Sequence, residues 1–303
     1  CLTHATFPGN RIRPSCRSPM AAMPYRNPEK PVLTKLLRSL AAAMILLPPI
    51  ALADGKVLYV THEPGRWHDY SEQREAFERI ADAAGWELTV ASGDKESMLA
   101  FLRSPDYAAG QDAVVYNFCL ANSRDTAAME NLISQTREGG VPALLVHCAM
   151  HSWWDTFKKG QPISGNTLGL ARANKRLLKS WGDSHPDKPL PAWGDFTGIA
   201  STAHGPKKPI ALIPMTPHPL SSNLPAKYRT GKTELYNNHY ITPDVVPLIR
   251  GEQGEDEAIV AWLAPRGKSR VMGLTLGHAS DEWEDPVFLA LLRKGVNALI
   301  SGQ

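Results

Sequence analysis

Histidines stand at or just beyond the ends of several apolar runs, and their positions are the first sign of chemistry in this sequence. His62 and His147 each close such a run, His278 follows another, and His68 lies in the loop behind the first. In open α/β sheets, ligands bind beyond the carboxyl ends of the strands. Near neutral pH an imidazole serves as general acid, general base or metal ligand. The sequence therefore predicts a polar site at strand ends.

Two cysteines accompany this cluster, and three interpretations of them stay open. Cys148 follows His147 directly, and Cys119 lies just past the preceding predicted strand. Neighbouring strands lie about 4.8 Å apart and bridged Cα atoms about 4.4–6.8 Å apart, so a disulfide is feasible. The pair can instead be two buried free thiols. Cys148 can also be a nucleophile, although it lacks the flanking glycines of a strand-to-helix elbow.

Aromatic side chains lie in or next to the same loops, and their faces suit the apolar faces of sugar rings, although loop anchors look the same in sequence. They are Trp67, Trp153, Trp154, Trp193 and Trp283. The sequence predicts no cofactor and assigns no metal ligand. Histidines beside a carboxylate can also hold a divalent metal, and that alternative stays open.

Strands and helices alternate along the first half of the mature chain. Lys56–His62 predicts a buried strand, the apolar spacing between Ser71 and Gly85 a helix, and Trp86–Ala91 a second strand. The pattern repeats up to a fourth strand, Pro142–Val146. It predicts an α/β fold with a doubly wound, mostly parallel sheet in the strand order 2-1-3-4.

In the last third of the chain the pattern predicts closely spaced strands and a final helix, rather than alternating strands and helices. Asp244–Ile249, Ala258–Leu263 and Arg270–Leu276 predict a β extension of the sheet. Asp285–Ile300 predicts an amphipathic helix capped by Asp285. Between 155 and 209 the periodicity fades, and only 170–181 looks helical. Such a long irregular stretch predicts a lid or rim beside the site.

The N-terminal region has the three parts of a secretory signal peptide. Basic residues precede the apolar run Leu40–Leu47, and the small-residue site Ala51-Leu52-Ala53 follows. The run is too short for a membrane span of about 20 residues. We expect cleavage after Ala53, a periplasmic or secreted protein with no membrane association thereafter, and a domain division into 1–53 and a single domain over 54–303.

Charge and composition indicate which class of partner the protein binds. The net charge is +3, and the basic residues are not concentrated in the mature part of the 303-residue chain. This argues against nucleic acid and favours a small molecule. The oligomeric state cannot be read from these features.

Several short motifs then occur in one order, and together they resemble the ThuA-like (trehalose-utilisation) family over about residues 56 to 301. The motifs are His68-Asp69, Val146-His147, Gly198 to His204, His218-Pro219 with Leu224-Pro225, Glu234-Leu-Tyr236, and Leu276-Gly-His278 with Trp283. The family's fold is flavodoxin-like, similar to class I glutamine amidotransferases. In those enzymes a nucleophilic cysteine stands after a strand, whereas ThuA-like proteins usually have a histidine there, which His147 matches.

The resemblance implies roles for particular residues. His68, His147, Glu234 and His278 are the expected catalytic groups, and Glu234, otherwise a plausible solvated loop carboxylate, becomes an inward-facing partner. The expected substrate-binding residues are His62, Asn117, Trp153, His204, His218 and Tyr236.

Three functions compete on this sequence. The first is an exported enzyme that acts on a sugar, glycoside or oxidised sugar by histidine and glutamate acid-base chemistry. The second is a non-catalytic module that has lost the amidotransferase nucleophile and binds a carbohydrate or a protein. The third is a glutaminase-type hydrolase that uses Cys148.

Overall fold

The structure is a computed structural model, and it describes residues 55–121, 123–153, 179, 182–187 and 193–302. The predicted signal peptide lies outside these residues, as does the helix predicted for 170–181 apart from residue 179. Within the described ranges, no helix has the length and apolar character needed to cross a membrane.

The first half of the described chain consists of four strands that alternate with three helices, as the hydrophobic pattern predicts. These elements are β1 (Lys56–His62), α1 (Tyr70–Ala84), β2 (Glu87–Gly93), α2 (Lys95–Arg103), β3 (Ala113–Asn117), α3 (Thr126–Arg137) and β4 (Ala143–Val146). An aspartate caps each helix by accepting a backbone N–H, namely Asp69, Asp94 and Asp125. A 3₁₀ helix, His147–His151, follows β4 directly.

The second half contributes the remaining strands of the described residues. They and the last helices are α4 (Trp193–Thr197), β5 (Ile199–Ala200), β6 (Lys208–Pro214), β7 (Arg229–Thr233), β8 (Tyr240–Ile241), β9 (Val246–Gln253), β10 (Asp256–Arg266), β11 (Ser269–Leu274) and α5 (Pro286–Ser301). The predicted cap is confirmed, since Asp285 accepts from the N–H groups of Val287 and Phe288. Strand β7 forms although its segment Thr230-Gly231-Lys232 is locally typical of a turn.

Nine strands form one sheet in the order β2-β1-β3-β4-β11-β10-β9-β6-β7. The strands from β2 to β11 are parallel to their neighbours. The pairings from β11 through β7 are antiparallel. This confirms the doubly wound α/β fold, the 2-1-3-4 order and the β extension. The extension joins the parallel half because β11 returns antiparallel to β10 and inserts beside β4.

The centre of the sheet is buried on both faces. Every residue of β3 and β4 is buried, which matches their continuous apolar sequences. One core cluster includes side chains of α1 and α5, and the other includes side chains of α2 and α3. The central strands are thus fixed by packing from both sides, and only their carboxyl ends and the loops beyond are left to form a site.

Candidate functional site

His147 occupies the corner where β4 ends. Its φ angle is 44°, in the left-handed region that non-glycine residues rarely adopt. The side chain is buried, and its Nδ1 donates to the carbonyl of Thr275 at 2.7 Å. That bond requires a proton on Nδ1, so the neutral ring presents its lone pair at Nε2. A strained residue at a strand end is a mark of function rather than of packing.

His278 reaches the same place from the loop after β11, the neighbour of β4. Gly277 has a φ of 104°, which turns the chain so that His278 faces the end of β4. The buried Glu282 fixes this loop by accepting from the N–H groups of Gly277, His278 and Ala279 at 3.2, 2.7 and 3.3 Å. As a result, His278 Nδ1 lies 3.2 Å from His147 Nε2.

His68 completes a group of three imidazoles. It lies in the loop between β1 and α1, and its Nδ1 donates to the carbonyl of His278 at 3.1 Å. Its ring stands edge-on to those of His147 and His278, with centroids 5.0 and 4.8 Å away. His68 is therefore also oriented by a backbone carbonyl, with its Nε2 lone pair free of that bond.

Glu234 and Tyr236 come from the segment after β7 and approach the imidazoles from the antiparallel half. One carboxylate oxygen of Glu234 lies 3.6 Å from His278 Nδ1 and 3.8 Å from His147 Nε2. The other oxygen lies 3.6 Å from His204 Nδ1. The Tyr236 hydroxyl is 3.1 Å from His147 Nε2. The two halves of the sheet thus meet at a carboxylate among imidazoles.

Burial sets the protonation of this cluster. Burial, with the neighbouring His68 and Lys207, lowers the pKa of His278 to about 4. Burial also lowers the pKa of His68 and holds that of His147 well below its ordinary value. It raises the pKa of Glu234, against the opposing charges of His204 and Lys207. At neutral pH the imidazoles of His68, His147 and His278 are therefore neutral, and Glu234 is a stronger proton acceptor than an exposed carboxylate.

A pocket of about 440 Å³ opens above these groups, within the usual range for small-ligand sites. It is lined by Trp67, His68, Cys119, Ala121, Cys148, His151, His204, Lys207, Glu234, Tyr236 and His278. Cys119 and Cys148 are joined by a disulfide, with Cα atoms 4.9 Å apart. The bond forms part of the pocket wall and leaves no thiol at Cys148 to act as a nucleophile.

Four of the residues expected to bind substrate do not line the pocket. Asn117 is buried and donates to Tyr59 and Gln73. Trp153 is fully buried, and its indole N–H donates to the carbonyl of Asp125. His62 is buried at the end of β1. His218 lies among residues before β3, β4 and β11, at the amino ends of those strands, in a different depression.

Asn117 and Trp153 lie away from the pocket for one physical reason. A sequence position at a strand end does not determine which way the side chain points, and Asn117 and Trp153 point into the interior. Among the tryptophans, Trp67 lines the pocket and is 62% exposed. Trp193 and Trp283 are buried. Trp154 lies outside the described residues.

Two polar residues of the pocket, His151 and Lys207, are not predicted from the sequence. His151 stacks on the ring of Tyr236 at 3.8 Å, and its Nε2 lies 2.6 Å from the Ser201 hydroxyl. Its four-residue spacing from His147 was a usable signal, because one helical turn separates the two. Lys207 also lines the pocket. A lysine in an irregular segment gives no comparable signal.

This chain is similar to one protein family and to several solved structures. A family model described as ThuA, trehalose utilisation, matches residues 56–297. A solved ThuA-like protein from Parabacteroides merdae superposes with a TM-score of 0.58 at 14% identity, over 82% of this chain and 91% of its own. A solved ThuA-like protein from Bacteroides uniformis superposes with a TM-score of 0.53 at 16% identity, over 80% of this chain and 90% of its own. Comparison with curated protein sequences finds no match.

Proposed function

The chain belongs to the ThuA (trehalose utilisation) family, and we propose that it is an enzyme that acts on a sugar, glycoside or oxidised sugar by proton transfer. The observation that carries this proposal is the convergence of Glu234 with His147 and His278, within 3.8 Å, beside an open pocket. A carboxylate with a raised pKa among neutral imidazoles suits general acid-base catalysis near neutral pH.

The surroundings of Glu234 favour a sugar as the substrate class. The pocket has the volume of a small-ligand site and combines hydrogen-bonding groups with the exposed indole of Trp67. An indole face stacks on the apolar face of a sugar ring, while imidazole, hydroxyl and carboxylate groups pair with its hydroxyls.

The number of carboxylates favours an oxidised sugar within that class. Hydrolysis of an ordinary glycoside usually requires two carboxyl groups that flank the bond. Among the described residues that line the pocket, Glu234 is the single carboxylate. One base suffices where a carbonyl makes the neighbouring C–H acidic. Glu234 then accepts the carbon-bound proton, and His278 or Tyr236 donates a hydrogen bond to the enolate oxygen.

Solvent exchange tests this chemistry. The purified chain is incubated in D₂O with common disaccharides and with the same sugars oxidised to ketones, and NMR follows deuterium entry next to the carbonyl. The wild type is expected to catalyse exchange or elimination. Glu234→Gln should lower the rate at least about 100-fold, whereas Glu75→Gln, on the exposed face of α1, should leave it unchanged. Equal rates for wild type and Glu234→Gln would refute the proposal.

A second candidate, a non-catalytic carbohydrate-binding module, is favoured by the disulfide at Cys148. That bond removes the thiol that a glutaminase of this architecture would need. Isothermal calorimetry separates the candidates, because the module would bind a sugar saturably while NMR detects no chemical change in the ligand.

Export completes the proposal. A signal peptide cleaved after Ala53 would place the chain in an oxidising compartment, where a disulfide persists. N-terminal sequencing of the exported protein should begin at Asp54. A mature protein that retains the residues before Ala53 would refute this part.

A further inference from the structure

We propose that His68, His147 and His278 together bind one divalent first-row metal ion, with zinc the best fit, beneath the pocket. One ring nitrogen from each histidine can be chosen such that all three lie within 4.8 Å of one another. They come from three different loops, so chain connectivity does not force this convergence.

The distance between one pair of ring nitrogens matches a shared tetrahedral ion, and the arrangement of the three rings is consistent with it. Two nitrogens bound to one zinc at about 2.05 Å lie roughly 3.3–3.4 Å apart. His147 Nε2 and His278 Nδ1 are 3.2 Å apart. The three ring centroids form a nearly equilateral triangle with sides of 5.0, 4.8 and 5.2 Å. A side-by-side stack of imidazoles would not give this symmetry, whereas three ligands around one point do.

Backbone carbonyls already orient two of the three rings. The Nδ1–H of His147 donates to Thr275, and the Nδ1–H of His68 donates to His278. Metal-binding histidines almost always donate their second ring N–H to such a partner, which fixes the tautomer and directs the lone pair at the ion. In both residues the nitrogen left for a ligand is Nε2.

A neighbouring group of possible metal ligands, His68 with Cys119 and Cys148, offers poorer donor atoms. His68 also lies near the sulfurs of Cys119 and Cys148. Those sulfurs are joined to each other and cannot supply thiolates, which are the form that binds zinc. Among the described residues, the three-histidine group therefore offers the better donors.

Three protein ligands leave a fourth position open for water, as in catalytic zinc sites. One Glu234 oxygen lies 3.6 and 3.8 Å from ring nitrogens of His278 and His147, too far for a good hydrogen bond to either ring. The imidazoles would then hold the ion, and the proton transfer of the proposed function would rest on Glu234. The metal site itself does not depend on that function.

Zinc binding by the full mature chain tests the inference without an activity assay. After chelator treatment and dialysis, calorimetry with zinc chloride should give one site per chain. Cobalt(II) should give the intense visible absorption of a tetrahedral complex. His68→Ala, His147→Ala and His278→Ala should each weaken zinc at least about 100-fold. His218→Ala, in the depression at the opposite edge of the sheet, is the matched control and should bind like wild type.

The outcomes separate the two proposals. His147 is deeply buried, so its variant is checked by circular dichroism, and the partly buried His68 gives a second variant that is expected to fold. Binding that is absent, or equal in wild type, His68→Ala and His278→Ala, would overturn the metal site. Sugar exchange that persists in chelated protein would then leave the proposed function standing. Zinc binding without any change in the sugar would support the metal site and refute the proposed function.

Discussion

Replacement of Glu282 by alanine should destabilise the protein far more than its place in a short 3₁₀ helix, Ser280–Glu284, implies. Glu282 is 3% exposed, and its carboxylate accepts three backbone N–H groups from the loop that carries His278. Hydrogen bonds to a charged group contribute about 1.5–3 kcal/mol each. Burial of the carboxylate opposes this, as the raised pKa of Glu282 shows.

The net loss of stability in Glu282→Ala combines the lost hydrogen bonds with the relieved desolvation of the carboxylate. Three orphaned N–H groups, partly rehydrated by water in the vacated space, should cost about 3–5 kcal/mol in the free energy of unfolding. Glu282→Gln keeps one acceptor oxygen and should cost about 1–2 kcal/mol. Glu284→Ala is the matched control, since that carboxylate lies in the same 3₁₀ helix but is exposed, and it should change stability by less than about 0.5 kcal/mol.

Urea unfolding followed by circular dichroism measures all three variants. The loop should also lose its shape in folded Glu282→Ala, so zinc affinity and sugar exchange should fall together with stability. If Glu282→Ala unfolds within about 1 kcal/mol of Glu284→Ala, the carboxylate does not hold the loop and the reasoning fails.

Three further outcomes follow from the structure. Cys148→Ser should lower stability by about 3–4 kcal/mol, because the disulfide closes a 29-residue separation to Cys119; equal melting temperatures with and without reductant in wild type would contradict this. Burial opposes ionisation of Asp244, but Thr242 and Arg266 outweigh it and lower the pKa of that carboxyl. The stabilisation from the Asp244 carboxylate should be present above its ordinary pKa of 3.8 and be lost as the pH falls through the lowered value. Asp244 is exposed and Arg266 is buried, so wild type and Asp244→Ala should differ by about 1–2 kcal/mol in the free energy of unfolding in urea at pH 7. This difference should disappear in acid, and a difference that widens in acid would contradict the reasoning. Trp67→Ala should leave stability unchanged yet weaken sugar affinity about 3- to 10-fold in calorimetry, and unchanged affinity would remove the stacking role.

The sequence predicts the parallel half of the fold well because its strands are buried on both faces. Runs such as Ala143–Val146 have no other stable environment than the centre of a covered sheet. The two-stranded pairing of β5 with β8 was not predicted. Two-residue strands carry no periodicity, and their pairing depends on contacts made after the chain has folded.

The site likewise has features that the sequence predicts and features that it does not. His278 lies beside His147 because β11 is the neighbour of β4 in the sheet. The βαβ pattern predicts the order of the first four strands, but it does not predict the position of β11. The direction of Asn117 and Trp153 does not follow from it, because packing around each side chain decides whether it points to solvent or core. Glu234 reaches the cluster from the antiparallel half, and only the resemblance to a family indicated its inward position.

The contacts that build the cluster join residues very distant in the chain. His147 and Thr275 are 128 residues apart, and His68 and His278 are 210 apart. Such high contact order slows folding, because loop closure must be paid before the contacts form. The cluster cannot exist until β11 has inserted beside β4. The native chemical shifts of the ring nitrogens of these histidines would therefore report when β11 inserts during folding. In a chain truncated before Ser269, His68 and His147 should not show those native shifts.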